Sequence, residues 1–393
     1  MRYFTLKDFN FLNKRVLMRV DFNVPLDEKG KITNDKRIKA VIPTIKYLLN
    51  KKAKLILMSH LGRPEGKVVK NLKMDNIANH LAMLLMEKVA KLDDCVDIQI
   101  PNERIVMLEN LRFHKEETEN NKNFAKKLAT NVDLYVNDAF GSCHRAHASV
   151  DAITHFLPSC AGLLLEKEIK NLDLQNPKKP FIGILGGSKI SDKIEIMKEL
   201  LKKVDKLLLG GAMIFTFYKA QGLELGKSLV EKEKLELAKE LLRDYKDKLI
   251  LPIDIVVANR KDNKAIPKTV KIDGILKDRY GLDIGEASIK LFKKKLAKAK
   301  TIIWNGPLGL FEIEKFAKGT HEIAKFLARS KAKTIVGGGD SIAALEKFKL
   351  ESKMTHVSTG GGAFIELIEG KKIPGIEALE KNYNKFRESL HLF

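Results

Sequence analysis

The sequence predicts an α/β protein built from two doubly wound parallel sheets. Three observations carry this. Short apolar runs without polar alternation recur along the whole chain, as strands buried on both faces of a parallel sheet require. Segments with the helical 3.6-residue period separate them, which is the βαβ alternation. The runs end in polar residues in the first half of the chain and in glycines in the second, so two different ligand edges are written into one architecture.

The elements follow in order. RVLMRVDFN (15–23) is the first strand, and DKRIKAVIPTIKYLLN (35–50) is an amphipathic helix behind it. KLILMSH (54–60), RIVMLEN (104–110) and DLYVNDA (133–139) complete the first set of strands. A helical pattern, LEKEIKNLDL (165–174), then runs into a Pro- and Lys-rich stretch, QNPKKP, where a domain break is expected. The second set is FIGILGG (181–187), KLLLGGA (206–212), IDIVVAN (253–259), TIIWNGP (301–307), TIVGGGD (334–340) and THVSTGGG (355–362).

A chain of 393 residues has room for two or three domains at about 150 residues each. Hydrophobic residues make up 44% and charged residues 31%, a globular composition. No apolar run approaches the roughly 20 residues of a membrane span, and MRYFTLKDFN lacks the apolar stretch of a signal peptide. Cys95, Cys143 and Cys160 are too scattered for a disulfide framework, so the expectation is a cytoplasmic protein without a membrane partner. The net charge of +22 raises the question of nucleic acid. The lysines are spread over helical faces such as EKEKLELAKELLRDYKDK (231–248), with no basic tail, zinc-finger spacing or aromatic RNA-binding motif. That favours a solvated basic surface and no specific nucleic-acid partner.

Chemistry concentrates at the strand ends. Arg19, Asp21, Asn23, Arg37, His60, Arg63, Arg112, His144, Arg145 and His147 all follow strands of the first set. In a parallel sheet those ends share one edge. Converging guanidinium groups there would bind a phosphate or carboxylate bidentately. The stretch YVNDAFGSCHRAHAS (135–149) admits three readings: a metal site, a nucleophile with its base, or an anion pocket. Zinc has no recognisable ligand spacing, and adjacent Cys143 and His144 seldom pair. An Arg between two histidines fits an anion best.

In the second half, GGSKISDK (186–193) follows a strand and opens a helix, a phosphate-binding arrangement. Lys189 and Lys193 are four residues apart, so one helical face would present both. GGGDS (337–341) repeats the plan, with Asp340 either a Mg²⁺ ligand or a helix N-cap. QGLELGKS (221–228) imitates a Walker A loop, but Gly222 is too close to Gly226 and Lys227 and no strand precedes it. No G-x-G-x-x-G follows a strand.

These motifs together resemble the phosphoglycerate kinases. RVDFNVP, SHLGRP, LENLRF, YVNDAFGSCHRAH, LPSCAG, GGSKISDK, WNGPLGLFE, GGGDS and STGGGAFIELIEGKKIPGIEAL occur in the family's order over nearly the full length. The resemblance implies two Rossmann-like domains joined by a hinge helix. Residues 1–161 would bind 3-phosphoglycerate, 162–178 would link, and 179–379 would bind nucleotide, with a tail at about 380–393 packing back on the first domain. It implies phosphoryl transfer from 1,3-bisphosphoglycerate to ADP, giving 3-phosphoglycerate and ATP, with Mg²⁺, in a monomer that closes over its substrates. By the family pattern Asp21, Asn23, Arg37, His60, Arg63, Arg112 and Arg145 form the glycerate site, with His144 and His147 beside it. Gly187, Lys189, Lys193, Gly210, Gly211, Asn305, Glu312, Gly338, Gly339, Asp340 and Ser341 match the nucleotide side, with Glu312 at the ribose and Asp340 at the metal. Arg37, Lys189 and Lys193 would be catalytic. Two departures stand out: Glu286 where the family usually has Pro, and Leu310 where Val is usual. The alternatives are another acyl-phosphate kinase, of acetate or aspartyl type, and a basic polyanion-binding protein.

Overall fold

The structure, a computed structural model, describes residues 2–388. The chain divides into two compact units, one of Met1–Lys170 with Lys372–Phe393 and one of Asn171–Lys371. The division falls inside the helix Leu163–Leu172.

The first unit is built on strands Phe4–Thr5 (β1), Arg15–Arg19 (β2), Lys54–Met58 (β3), Ala90–Lys91 (β4), Ile105–Met107 (β5), Leu134–Asn137 (β6) and Ser159–Ala161 (β7). They lie in the order β1-β7-β6-β2-β3-β5-β4, and every pairing is parallel. The four central strands are those the apolar runs predict. The edge strands β1 and β4, and β7 beside β1, are too short to leave a periodic signal. Successive strand residues face opposite ways. Val16, Met18, Leu55 and Leu57 therefore pack with Ile38, Val41, Ile45 and Leu48 of helix Lys36–Asn50. Leu17, Ile56 and Met58 pack the other way, with Phe124, Leu128 and Ile153.

The helix Pro374–Phe386 also belongs to this unit. Its Asn382 is buried and fully used: Oδ1 accepts from Ser159 N at 2.9 Å, and Nδ2 donates to Thr154 O at 2.6 Å and Leu157 O at 2.8 Å. Since this helix starts at Pro374, the second unit stops at Lys371, short of the 379 expected from sequence. Residues 389–393 of the expected tail lie outside the described residues.

The second unit carries Phe181–Leu185 (β8), Lys206–Leu209 (β9), Leu249–Ile250 (β10), Asp254–Ala258 (β11), Lys268–Lys271 (β12), Tyr280–Ile284 (β13), Thr301–Asn305 (β14), Lys333–Gly337 (β15) and His356–Val357 (β16). A parallel sheet runs β10-β9-β8-β14-β15-β16. The run IDIVVAN departs from the sequence expectation. It forms β11, the middle of a separate antiparallel sheet ordered β12-β11-β13. An apolar run marks a strand buried on both faces but not the direction of its partners, and β12, mostly exposed, gives no apolar signal at all. THVSTGGG shortens to two strand residues before turning into glycines.

Candidate functional site

The carboxyl ends of β2, β3, β5 and β6 are neighbours, so the segments that follow them meet at one edge. Asp21 accepts a 2.8 Å ion pair from Arg37 at the start of helix Lys36–Asn50. Asn23 Oδ1 accepts from Gly62 N at 2.9 Å, tying the first strand end to the loop that presents Arg63. Arg112 donates to Gly62 O at 2.8 Å while its Nε is buried without a hydrogen-bond partner among the described residues. Burial, with Arg19 and Arg145 nearby, lowers the Arg112 pKa to about 10. His60 is 5% exposed, and burial together with Arg19, Arg112, Arg37 and His147 pushes its pKa well below the ordinary value. His147 is driven to about 3 by burial and by Arg112, Arg19 and Arg145. Two histidines held neutral among so many guanidinium groups make an edge suited to an anion. Arg63 and Arg145 stand exposed at the same edge, and Arg145 Nε donates to His144 Nε2 at 3.1 Å.

Arg19 departs from this pattern. It is entirely buried, and its guanidinium is spent on Ser149, Val20, His60 and Ser142. The expectation that it faces the ligand edge is therefore corrected to a place behind it. Cys143 bears on the three readings of YVNDAFGSCHRAHAS. Its thiol is fully buried against Asn137 and Ala139, and burial pushes it up to about 12, which suits neither a nucleophile nor a zinc ligand. Among the described residues one trio of metal-ligating types comes together, Asp94, Cys95 and His114, with ligand atoms within 4.8 Å. His114 Nε2 already pairs with Asp94 Oδ1 at 2.7 Å, and burial beside Asp94 raises the Cys95 thiol well above its usual range. That trio reads as an ion pair next to a buried thiol.

The second unit offers a cavity of about 340 Å³ at the ends of its parallel strands. Gly187, Gly211, Phe215, Leu308, Glu312 and Asp340 are in its wall. Backbone crosses backbone here. A Cβ on Gly211 would stand 2.4 Å from Gly187 O, and one on Gly186 would stand 2.0 Å from Pro307 O, so only glycine closes the wall. Gly210 donates to Leu185 O at 3.0 Å, which carries β9 straight into the wall. Lys193 Nζ reaches Asn305 Oδ1 at 2.6 Å, and Asn305 Nδ2 donates to Gly337 O at 2.9 Å. Ser341 Oγ accepts from Gly306 N at 2.6 Å. Gly338, at φ +93°, turns the chain into helix Gly339–Lys347, and a Cβ on it would meet Asn305. Asp340, in the first turn, is exposed, makes no side-chain cap and has no hydrogen-bond or ion-pair partner among the described residues. Of the two sequence readings for Asp340, the N-cap falls.

The phosphate-loop expectation at GGSKISDK needs correction in two respects. The α-helix begins only at Ile194, after a single 3₁₀ turn Ser191–Lys193, so Lys189 and Lys193 share no helical face. Lys193 turns inward, where burial lowers its pKa; Lys189 stays exposed. The amides of Ile190 and Ser191 are taken by the Glu231 carboxylate. Glu231 was hidden in EKEKLELAKE, which reads as a solvated charged face. Glu117, fully buried behind the basic cluster, was hidden in the same way in HKEETEN. Asp283 had a signal, a lone charge inside the apolar YGLDI. It lies in the cavity wall, accepts from Gly319 N at 2.7 Å, and burial raises it to about 7.

Known proteins are similar to this chain along nearly its whole length. A family model described as phosphoglycerate kinase matches residues 6–371. A curated phosphoglycerate kinase from Gloeothece citriformis is 54% identical over 384 residues, covering 94% of this chain and 96% of its own. One from Rippkaea orientalis is 53% identical with the same coverage. The solved phosphoglycerate kinase of Coxiella burnetii matches with a TM-score of 0.91 and 42% identity over 97% of this chain and 99% of that one.

Proposed function

The chain belongs to the phosphoglycerate kinase family, and from that premise we propose that it moves a phosphoryl group reversibly between 1,3-bisphosphoglycerate and ADP. The products are 3-phosphoglycerate and ATP, and the step belongs to glycolysis and its reversal. The observation that carries the reading is the basic edge of the first unit: two neutral histidines and Arg37, Arg63, Arg112 and Arg145 converge without a nucleophile and base among them. An acyl phosphate is already a reactive anhydride and an ADP oxygen is already a nucleophile. The chemistry therefore asks for positioning and charge, not for a covalent intermediate.

In this reading Asp21 aims Arg37, whose charge meets the transferring group. Asn23, His60, Arg63, Arg112, His144, Arg145 and His147 hold the glycerate and its phosphate. Gly187, Gly210, Gly211, Gly338, Gly339 and Ser341 shape the nucleotide wall, Glu312 meets the ribose, and Asn305 orients Lys193. Lys189, exposed and without an internal partner among the described residues, reaches the phosphates. Asp340 fits Mg²⁺, because an unpaired carboxylate at the cavity wall is what a cation shared with phosphates needs. When bound, the ion would neutralise charge on the phosphate oxygens. We place the enzyme in the cytoplasm as a monomer; its three cysteines are free and buried, as a reducing compartment allows. No helix among the described residues is long and apolar enough to cross a membrane.

The test is a coupled assay of ATP-dependent phosphorylation of 3-phosphoglycerate, with acetate and aspartate as control acceptors. Turnover with 3-phosphoglycerate alone is expected. Equal or better turnover with acetate or aspartate would replace the reading with another acyl-phosphate kinase.

A further inference from the structure

Behind the basic edge runs a chain of buried groups that the reaction itself does not call for. Glu117, Ser149 and Arg19 are each 0% exposed. Ser149 Oγ donates to Glu117 Oε1 at 2.6 Å, and Ser149 N donates to Glu117 Oε2 at 2.9 Å. Arg19 Nε donates to Ser149 Oγ at 2.8 Å, and Arg19 Nη2 lies 3.0 Å from His60 Nδ1. A guanidinium has five donors and no acceptor, so His60 must accept at Nδ1. A ring that accepts at Nδ1 is neutral and carries its proton on Nε2.

We propose that Glu117 is a positioning residue for the glycerate site: through Ser149 and Arg19 it fixes His60 as the Nε2–H tautomer, a neutral donor for a substrate oxygen. The proposal rests on the reading of His60 as a substrate ligand. Neutrality matters because a donor that is always in the same protonation state gives a constant hydrogen bond to an anion across the working pH range. The carboxylate is needed because Arg19 is a buried cation, and a buried cation without a counter-charge would be costly in that place. Ser149 relays both demands, since its oxygen accepts from Arg19 while its hydrogen is committed to Glu117. The low pKa of His60, from burial and the guanidinium groups around it, agrees with a neutral ring. Glu117 also stitches the segment after His147 in place, because Ala148 N donates to Glu117 O at 2.9 Å.

Changing Glu117→Gln turns one acceptor into a donor opposite Ser149 and removes the charge behind Arg19. Ser149→Ala cuts the relay and leaves both charges. Ring ¹⁵N chemical shifts of His60, assigned by comparison with His60→Gln, report the tautomer. The parent protein is expected to show unprotonated Nδ1 and protonated Nε2 near neutral pH, and Glu117→Gln a mixture. Both variants should raise KM for 3-phosphoglycerate about tenfold or more, as loss of hydrogen bonds to charged groups does, with KM for ATP unchanged within about twofold. Glu117→Asp, which keeps the charge, should recover part of the loss. An Nδ1–H tautomer in the parent overturns the proposal even if Glu117→Gln fails to fold. So does an unchanged KM in folded Ser149→Ala. Loss of the site reading is a separate result: His60→Gln would then leave KM for 3-phosphoglycerate unaltered while the parent tautomer stands as described.

Discussion

Arg37 keeps 36% of its side chain exposed while Asp21 holds one end of the guanidinium at 2.8 Å. It is oriented yet still open to a ligand, as a group that must meet developing charge should be. Arg37→Ala is expected to lower kcat by on the order of 10³-fold or more, the scale seen when a transition-state arginine is lost. Steady-state kinetics giving a kcat within about tenfold of the parent would remove Arg37 from that role. Cys143 makes the opposite prediction. Its thiol touches Asn137 and Ala139 rather than the ligand edge, so Cys143→Ser should retain kcat within about twofold, and purified protein should hold no stoichiometric zinc. Elemental analysis finding about one zinc per chain, with activity restored by zinc and not by Mg²⁺ after chelation, would contradict this. At this scale the sequence displays the groups that face a ligand, because arginines, histidines and glycines cluster after apolar runs. It conceals the groups behind them. Glu117 and Glu231 sit in stretches as charged as any solvated helix, and only the fold shows that both carboxylates are buried.

The helix Leu163–Leu172 starts on a single carboxyl group. Asp138 Oδ1 accepts from Leu164 N at 2.9 Å and Leu165 N at 3.0 Å, taking two of the amides that a helix start leaves unpaired. Its Oδ2 is buried and, among the described residues, makes no well-formed hydrogen bond, with Thr44 the side-chain donor beside the carboxyl group. A Cβ at Gly162 would lie 2.3 Å from Oδ1, so a glycine is needed for the helix to come this close. Burial raises Asp138 from 3.8 to about 7. The sign follows from linkage: an acid whose pKa is raised on folding stabilises the protonated fold. That stability is whole below about pH 3.8 and is lost as pH rises to about 7, a loss on the order of a few kcal/mol. Asp138→Asn cannot ionise and keeps an oxygen for the two amides. Denaturant unfolding of the parent should weaken more between about pH 5 and about pH 8 than that of Asp138→Asn. The slope in the variant should not vanish, because Asp283 titrates in the same direction at about 7. Equal slopes would deny Asp138 its charge-sensitive role. The helix itself was legible from its 3.6 period. Its cap was not, since NDAFG gives no sign that Asp138 will point at a segment 26 residues away.

Two ligand edges on two units set the requirement at the scale of the whole molecule. Reacting atoms must come within about 3–3.5 Å for transfer, so the proposed function requires the two ligand edges to close around their substrates. In the proposed reading each substrate alone meets mainly one unit, and only the pair would have the differential affinity that favours closure. Small-angle scattering should therefore show a radius of gyration that falls clearly only with 3-phosphoglycerate and Mg-nucleotide together. A radius unchanged across all conditions, in active and saturated protein, would rule closure out. The doubly wound plan was legible because buried strands declare themselves, whereas the antiparallel sheet around β11 and the terminal helix were not. Both depend on partners distant in sequence and on short or polar segments. That terminal helix has a consequence for synthesis. Residues 171–371 are one uninterrupted stretch and can reach their final contacts as soon as they clear the ribosome. The unit begun first must wait for the segment made after them, because Ser159 N, Thr154 O and Leu157 O bond to Asn382. The order of translation is thus the reverse of the order of completion: the unit begun first is the last to be finished.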